Sequence, residues 1–486
     1  MIKASGIFMI GRALSALLTI ASVAIFSRLL APTDYGTYTL AITTSALFNA
    51  LFCTWVTQSV FRLYSETDLV RLQSTGLFAL LMSGMVSVAG ALAAILISGR
   101  VVTGELTAGL LMVFTGYSVY EYCNILMSLR RQPQLFVQLQ LARLILTLVL
   151  PLGAFLLFRR FDHFMLALGL AYWLPLVLPR FLFWASGASL GQVDRSLLGA
   201  MARYGLPLSF SILLVQLGSS LDRYMLGAQR GVDVVAGYAA GADLALFSIG
   251  MMASSLSQAY YPQLLQFHSE GRDDEQRQLY GQYMLLFVGL LLPAAVGLHF
   301  VADDLAILIT GNAIRDDAGQ SLGLFAATAF FINFKSFIID PRFQIAKRLR
   351  LPILNATVIV GLLVVGCFLL IPAYGARGAA WAALIAASAG CVLALLLSTR
   401  LPGALPFPAA ALGKLAIATA AMAASLYGAN AWLAGSPDLI TALLILGAKI
   451  FLGIAVYAMI LIMLRFKPVY QVMNCIAALR APKHSP

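Results

Sequence analysis

Unbroken apolar runs of about twenty residues recur along the whole of this 486-residue chain. A helix rises 1.5 Å per residue, so about twenty residues cross the roughly 30 Å hydrocarbon core of a bilayer. The alternative way to satisfy a backbone in lipid is a closed barrel, whose strands alternate apolar and polar residues over about ten positions. No such alternation is present. A water-soluble fold is excluded by composition. The chain is 61% hydrophobic and 11% charged, against roughly 25% charged in soluble domains. A mean hydropathy of +0.89 leaves too little polar surface to clothe a soluble core.

The runs predict an all-α integral membrane protein of about fourteen transmembrane helices. The expected spans are 7–30, 36–64, 75–98, 105–129, 136–158, 163–185, 204–228, 235–262, 279–302, 320–340, 352–372, 379–399, 411–433 and 439–465. The first run is too long for the apolar region of a signal peptide and reads as a permanent helix. The longest polar stretch, near 267–278, is about a dozen residues, so no loop has room for a soluble domain. Cys53, Cys123, Cys367, Cys391 and Cys475 are far apart and fall in or beside apolar runs. This spacing suits small packing residues, not a disulfide framework or zinc site. The four histidines form no cluster, and no metal or cofactor is expected.

Loop charge sets the expected orientation. With the N-terminus in the cytoplasm, eighteen of the basic residues fall in cytoplasmic loops and tails and six in outer loops, the positive-inside bias. Both termini are then expected in the cytoplasm. Much of the net charge of +12 is therefore a topology signal. No nucleic-acid partner is expected, since no binding motif accompanies it.

The chain echoes itself. Ser27-Arg28-Leu29-Leu30 closes the first expected helix, and Tyr35-Gly36-Thr37-Tyr38 opens the second. Asp222-Arg223-Tyr224-Met225-Leu226-Gly227 closes the seventh, and Gly237-Tyr238 opens the eighth. Arg130-Arg131-Gln132-Pro133 is echoed by Lys347-Arg348-Leu349-Arg350-Leu351-Pro352. These echoes predict a parallel repeat: a six-helix lobe over 1–203, a second over 204–400, and two further helices with a tail over 401–486. Repeated halves with a central site between them are a carrier architecture.

Charges inside the spans mark candidate sites, because a charge in hydrocarbon costs on the order of 3 kcal/mol and turns toward an interior or a wet cavity. Arg12, Arg28, Arg143, Arg180, Arg223, Lys335, Lys414 and Lys449 outnumber Glu121, Asp222, Asp243 and Asp340. Arg12 and Lys335 are candidate cavity cations. Arg28, Arg180 and Arg223 lie near span ends, where snorkelling to the headgroups is an equal alternative. Lys414 and Lys449 are read as contacts at the bilayer edge. For Arg143, an intrahelical, loop or substrate contact is left open. A cationic excess favours an anionic substrate, and a diphosphate matches arginine forks. Glu121 and Asp243 are candidates for binding a coupling proton or Na⁺, and Asp222 either joins them or neutralises Arg223. Asp303-Asp304 and Asp316-Asp317 read as solvated outer loops.

The stretch Phe26-Ser27-Arg28-Leu29-Leu30-Ala31-Pro32-Thr33-Asp34-Tyr35-Gly36-Thr37-Tyr38 resembles the opening of the Wzx-type bacterial polysaccharide flippases. So do Tyr204-Gly205-Leu206-Pro207-Leu208 and the Leu221–Gly227 and Ala236–Tyr238 segments. These belong to the multidrug/oligosaccharidyl-lipid/polysaccharide exporter superfamily. The resemblance implies two six-helix lobes in a V, with the first, second, seventh and eighth helices around a cationic cavity. It implies flipping of an undecaprenyl-diphosphate-linked oligosaccharide to the periplasmic leaflet by alternating access. That activity serves lipopolysaccharide or exopolysaccharide assembly, with a polysaccharide polymerase as a possible partner. Arg12, Arg28 and Arg223 fall on lining helices of that scheme and Lys335 does not. Two other functions compete. A polymerase, ligase or glycosyltransferase acting on lipid-linked sugars would need larger outer loops, and a drug/cation antiporter would favour acids over bases in its cavity.

Overall fold

The computed structural model describes residues 2–64, 67–97, 103–130, 132–178, 188–346, 348, 350–401, 407–432 and 439–466. Within them every regular element is helical. The helices are α1 (Ile2–Leu29), α2 (Pro32–Phe48), α3 (Thr54–Leu63), α4 (Leu69–Ile97), α5 (Gly104–Leu129), α6 (Pro133–Phe158) and α7 (Phe161–Val177). Then come α8 (Arg195–Gly218), α9 (Leu221–Arg230), α10 (Val232–Ser269), α11 (Asp273–Phe300), α12 (Ala302–Ile309), α13 (Arg315–Phe334) and α14 (Asp340–Ile345). The last are α15 (Arg350–Ser398), α16 (Ala409–Trp432) and α17 (Leu439–Met463). Ten helical stretches among the described residues are long and apolar enough to cross a membrane. Leu81, Leu157, Leu369 and Phe451 stand exposed on them, as lipid-facing side chains do.

Several helices start earlier than the apolar runs. Helix α8 begins at Arg195, not at 204, and α11 at Asp273, not at 279. Hydropathy marks the edge of the hydrocarbon, but the backbone hydrogen bonds continue until a cap ends them. At α8 the cap is Asp194, whose carboxylate accepts from the Ser196 amide at 2.8 Å and from the Ser196 hydroxyl at 2.7 Å. Helix α15 runs through two expected spans and folds back on itself. Gly375 sits at φ 55°, a conformation that favours glycine. The Asn355 amide donates to the Gly390 carbonyl at 2.9 Å across the two limbs.

Two π-helical turns interrupt membrane helices: Asn49–Cys53 between α2 and α3, and Lys335–Ile339 between α13 and α14. Neither was visible in the sequence. The second frees carbonyls that α11 satisfies, since the hydroxyls of Tyr280 and Tyr283 donate to the Ile338 and Phe337 carbonyls.

The chain divides into two compact units, Met1–Ala236 and Gly237–Pro486. By packing, α8 and α9 therefore belong with the first unit. In that unit α5 and α7 lie close together, and a Cβ at Gly109 would meet the Met165 carbonyl carbon at 2.7 Å. Small residues permit such approach between membrane helices. Its core includes Cys53, Val56, Leu72, Tyr122 and Met201.

The second unit packs α11, α13 and α16 around Tyr283, Phe287, Phe334 and Phe343. Polar tethers fix its last two helices. Asn430 donates to the Phe300 carbonyl at 3.0 Å, and Tyr457 to the Gly289 carbonyl at 2.8 Å. Lys414 donates to the Leu464 carbonyl at 2.7 Å. Lys449 meets Asp304 at 2.5 Å, each side chain only 4% exposed. This corrects two expectations. Lys449 is an interior ion-pair partner, not a contact at the bilayer edge, and Asp304 is no solvated loop acid. The four described cysteines, Cys53, Cys123, Cys367 and Cys391, are buried free thiols, and Cys475 lies outside the described residues.

Candidate functional site

The seventh expected span is broken at Ser219-Ser220, and the chain resumes as α9. The break places Asp222 and Arg223 in the first turn of a short helix, where both are buried, at 4% and 7% exposure. An Asp222 carboxylate oxygen accepts from the Arg223 amide at 2.9 Å, as an acid near a helix N-terminus does. The Arg223 guanidinium reaches α2, where Nη1 donates to the Thr43 hydroxyl at 3.3 Å. Thr43 can accept because its own proton goes to the Thr39 carbonyl at 2.8 Å. The next pair repeats the contact: the Thr44 and Tyr224 hydroxyls lie 2.8 Å apart. Two successive threonines of α2 thus hold two successive residues of α9. The result is a buried guanidinium on a hydroxyl of α2, with the Asp222 carboxylate capping the backbone at the start of α9.

A second polar cluster occupies the same unit. On α6, Arg143 lies over the Tyr120 ring at 4.6 Å and near the Tyr172 ring at 5.6 Å. Its Nη1 reaches the Tyr172 hydroxyl at 3.5 Å. Glu121, on α5, feels the Arg143 charge. The open question about Arg143 is answered by α5 and α7, whose aromatic faces take up its charge. The sequence signal was Tyr120-Glu121-Tyr122 itself, but nothing in it named α6 as the partner.

The remaining candidates fall elsewhere. Arg12 belongs to α1, and its side chain lies outside those described. Arg28 is exposed in the last turn of α1. Arg180 lies outside the described residues. Asp243 is half-buried on α10. Lys335, expected as a phosphate-binding cation, is instead held by Asp340 at 2.8 Å across the π-helical turn, the two side chains 14% and 17% exposed. A lysine neutralised by its own helix is a weak anion receptor, so Lys335 leaves the candidate set. Among the described residues no group of histidine, cysteine and acidic side chains is placed to hold a metal.

The two echoed Gly-Tyr motifs have similar packing roles. Gly36 lies against the Val232 carbonyl, while Tyr38 meets Phe26 and Phe164 at ring distances of 5.6 and 5.7 Å. In the second unit Gly237 faces Asp317, with 2.6 Å left for a Cβ, and Tyr238 meets Phe325 at 5.4 Å. The motifs hold helix ends together.

Comparison with known proteins fits this architecture. A family profile described as "Polysaccharide biosynthesis protein" matches residues 1–268, and one described as MatE matches residues 207–369. Among solved structures the chain is similar to the lipid II flippase MurJ in an inward closed conformation. Identity is 13%, the TM-score 0.72, and 96% of this chain and 99% of that one are covered. It is similar to an inward-facing multidrug resistance MATE family transporter of the MOP superfamily, at 18% identity and TM-score 0.60, covering 79% and 94%. A MOP superfamily transporter from Pyrococcus furiosus, whose binding pocket is described as of reverse polarity, aligns at 17% identity and TM-score 0.58, covering 82% and 94%. Such identities speak to the fold. None of the curated proteins matches the chain in sequence. With more than half of its length matched and a multi-pass helical fold to carry it, the chain belongs to the polysaccharide biosynthesis protein family.

Proposed function

We propose that this transporter flips an undecaprenyl-diphosphate-linked oligosaccharide from the cytoplasmic to the periplasmic leaflet of a bacterial inner membrane. The observation that carries the reading is the buried Arg223 guanidinium, placed on an α2 hydroxyl within a chain whose family is named for polysaccharide biosynthesis. An arginine fork in low dielectric suits a diphosphate. Similarity in fold to a lipid II flippase supports a lipid-linked substrate. In this reading fourteen spans form two six-helix halves and a C-terminal pair, with both termini cytoplasmic. Arg12, Arg28 and Arg223 meet the substrate. Glu121, Asp222 and Asp243 are the acids that couple H⁺ or Na⁺ flow to alternating access. A polysaccharide polymerase receives the flipped unit.

The test is polysaccharide export by Arg12→Ala and Arg223→Ala variants that still reach the membrane. Loss of export, with lipid-linked units accumulating on the cytoplasmic face, supports the reading. Normal export from both variants overturns it. The MatE match over 207–369 favours a second reading, a drug/cation antiporter. A drug-resistance phenotype without a polysaccharide defect would establish that reading instead.

A further inference from the structure

A cavity of about 750 Å³ lies in the first unit, away from Arg223, between one face of α4 and one face of α5. Ser74, Phe78, Leu81, Met85 and Leu92 of α4 line it, at the three- and four-residue spacing of a single helix face. Thr115 and Ser118 of α5 and Trp173 of α7 stand opposite. Three hydroxyls of the helical lining are turned into their own backbones. Ser74 donates to the Val70 carbonyl at 2.8 Å, Thr115 to Leu111 at 2.8 Å and Ser118 to Phe114 at 3.2 Å. The surface they leave is almost wholly apolar. The rim is open to lipid, since Leu81 is 62% and Met85 64% exposed.

The groove's length selects among lipids. From Ser74 to Leu92 the helix rises about 27 Å, nearly the whole of a hydrocarbon core about 30 Å thick. A fatty-acyl chain from one leaflet reaches about half of that. A polyisoprenoid chain fills it all. One end is also charged. Arg71 is one turn before Ser74 on the same face, with an exposed side chain bridging to Asp194 at 2.7 Å. Arg130 is at the same end, donating to Gln73 at 3.0 Å. A guanidinium has five N–H donors, so Arg71 can hold Asp194 and a phosphate together. Loop charge puts this end in the cytoplasm, where a lipid-linked unit is loaded.

We propose that the α4–α5 groove holds the polyisoprenoid tail of a phosphate-bearing lipid, with its phosphate at Arg71. The proposal rests on the flippase reading above and assigns a place to the part of the substrate that the arginines do not touch.

The experiment measures binding of undecaprenyl phosphate to the purified full-length protein in detergent by native mass spectrometry. Dioleoyl phosphatidic acid serves as the comparison of equal headgroup chemistry and shorter reach. A Cβ at Gly84 meets nothing within 4 Å, so Gly84→Phe fills the groove without a backbone clash. Ala89→Trp, from the exposed part of the same lining, is the second filling variant. A Cβ at Gly447 on α17 also meets nothing within 4 Å, making Gly447→Phe the control. Undecaprenyl phosphate should bind wild type and Gly447→Phe alike, and both filled variants about tenfold more weakly, the loss expected for displacing as few as two buried methylenes. Equal binding of dioleoyl phosphatidic acid to wild type would identify an ordinary bilayer lipid and overturn the proposal. Unchanged binding of undecaprenyl phosphate to the filled variants would overturn it too. The probe carries no sugar, so tail binding is scored apart from flipping. Tail binding without export defects in the Arg12 and Arg223 variants would sink the flippase reading and leave the groove standing.

Discussion

The interior pair of Lys449 and Asp304 provides the sharpest stability test. The Nζ to Oδ2 distance is 2.5 Å and each side chain is 4% exposed, so water screens neither charge. Replacing lysine by methionine preserves the apolar stem and leaves Asp304 buried without its cation. Removing one member of a buried pair costs about 3–5 kcal/mol, whereas replacing both by apolar groups of similar volume is close to neutral. For a unit of this size, 3–5 kcal/mol lowers the melting temperature by roughly 6–20 °C. The unit carries its own reporters: Cys367 and Cys391 are 0% and 4% exposed and become reactive on unfolding. Thermal unfolding of Lys449→Met, followed with a thiol-reactive dye, should show a drop within that range. Lys449→Met combined with Asp304→Leu should recover most of it. A single variant melting with wild type would mean that the pair is solvated, and a double variant as weak as the single would place the loss in packing. Either result refutes the electrostatic argument.

Two other perturbations test the first unit. Gly205 lies directly against the Trp55 carbonyl and Ser59 hydroxyl, and Ser59 donates to the Met201 carbonyl at 2.7 Å. Gly205→Val should therefore wedge α8 from α3 and destabilise the unit by about 1–3 kcal/mol, read as earlier labelling of Cys53 on heating. At the start of α8, hydrogen bonds from the Ser196 hydroxyl and amide hold the Asp194 carboxyl below the usual carboxylate range. Its contribution is then whole above the ordinary value of about 4 and is lost as pH falls through the lowered one. Hydrogen exchange in the first turn of α8 should speed up across that acid window. In Asp194→Asn the acid step should be missing.

The membrane class and the all-helical, multi-pass character were legible because lipid imposes one strong condition, an apolar run long enough to cross. Charge pairing was harder to see. Lys335 and Asp340 are five residues apart, and in a regular α-helix that separation turns them about 140° away from each other. The sequence thus presents Lys335 as a cation without an acid. A π-helical turn advances more residues per turn and brings positions five apart onto one side, where the two meet at 2.8 Å. No local pattern in Asn333-Phe334-Lys335-Ser336-Phe337 announces that turn. Lys449 poses the reverse difficulty, since its acid is 145 residues earlier, within Asp303-Asp304, a pair that reads as solvated. The cation of the Tyr120–Arg143 contact was visible and its ring was visible, but their meeting depends on how α6 leans on α5.

Resolving these pairs changes what the cationic excess means. Three lysines within the spans have identified partners: Lys335 on Asp340, Lys449 on Asp304 and Lys414 on the Leu464 carbonyl. All belong to the second unit, and each joins turns or helices there. Arginine takes the other role. Arg12, Arg28 and Arg223 are in the first unit, on α1 and α9, and the first turn of α9 is where a break in the helix lodges a guanidinium on a hydroxyl of α2. The division follows the chemistry of the groups. A lysine is a compact charge that one carboxylate or carbonyl can match, while a guanidinium keeps donors for a second partner after meeting its first. Interior lysines of this chain therefore serve as tethers, and the reading of a diphosphate ligand rests on its arginines alone.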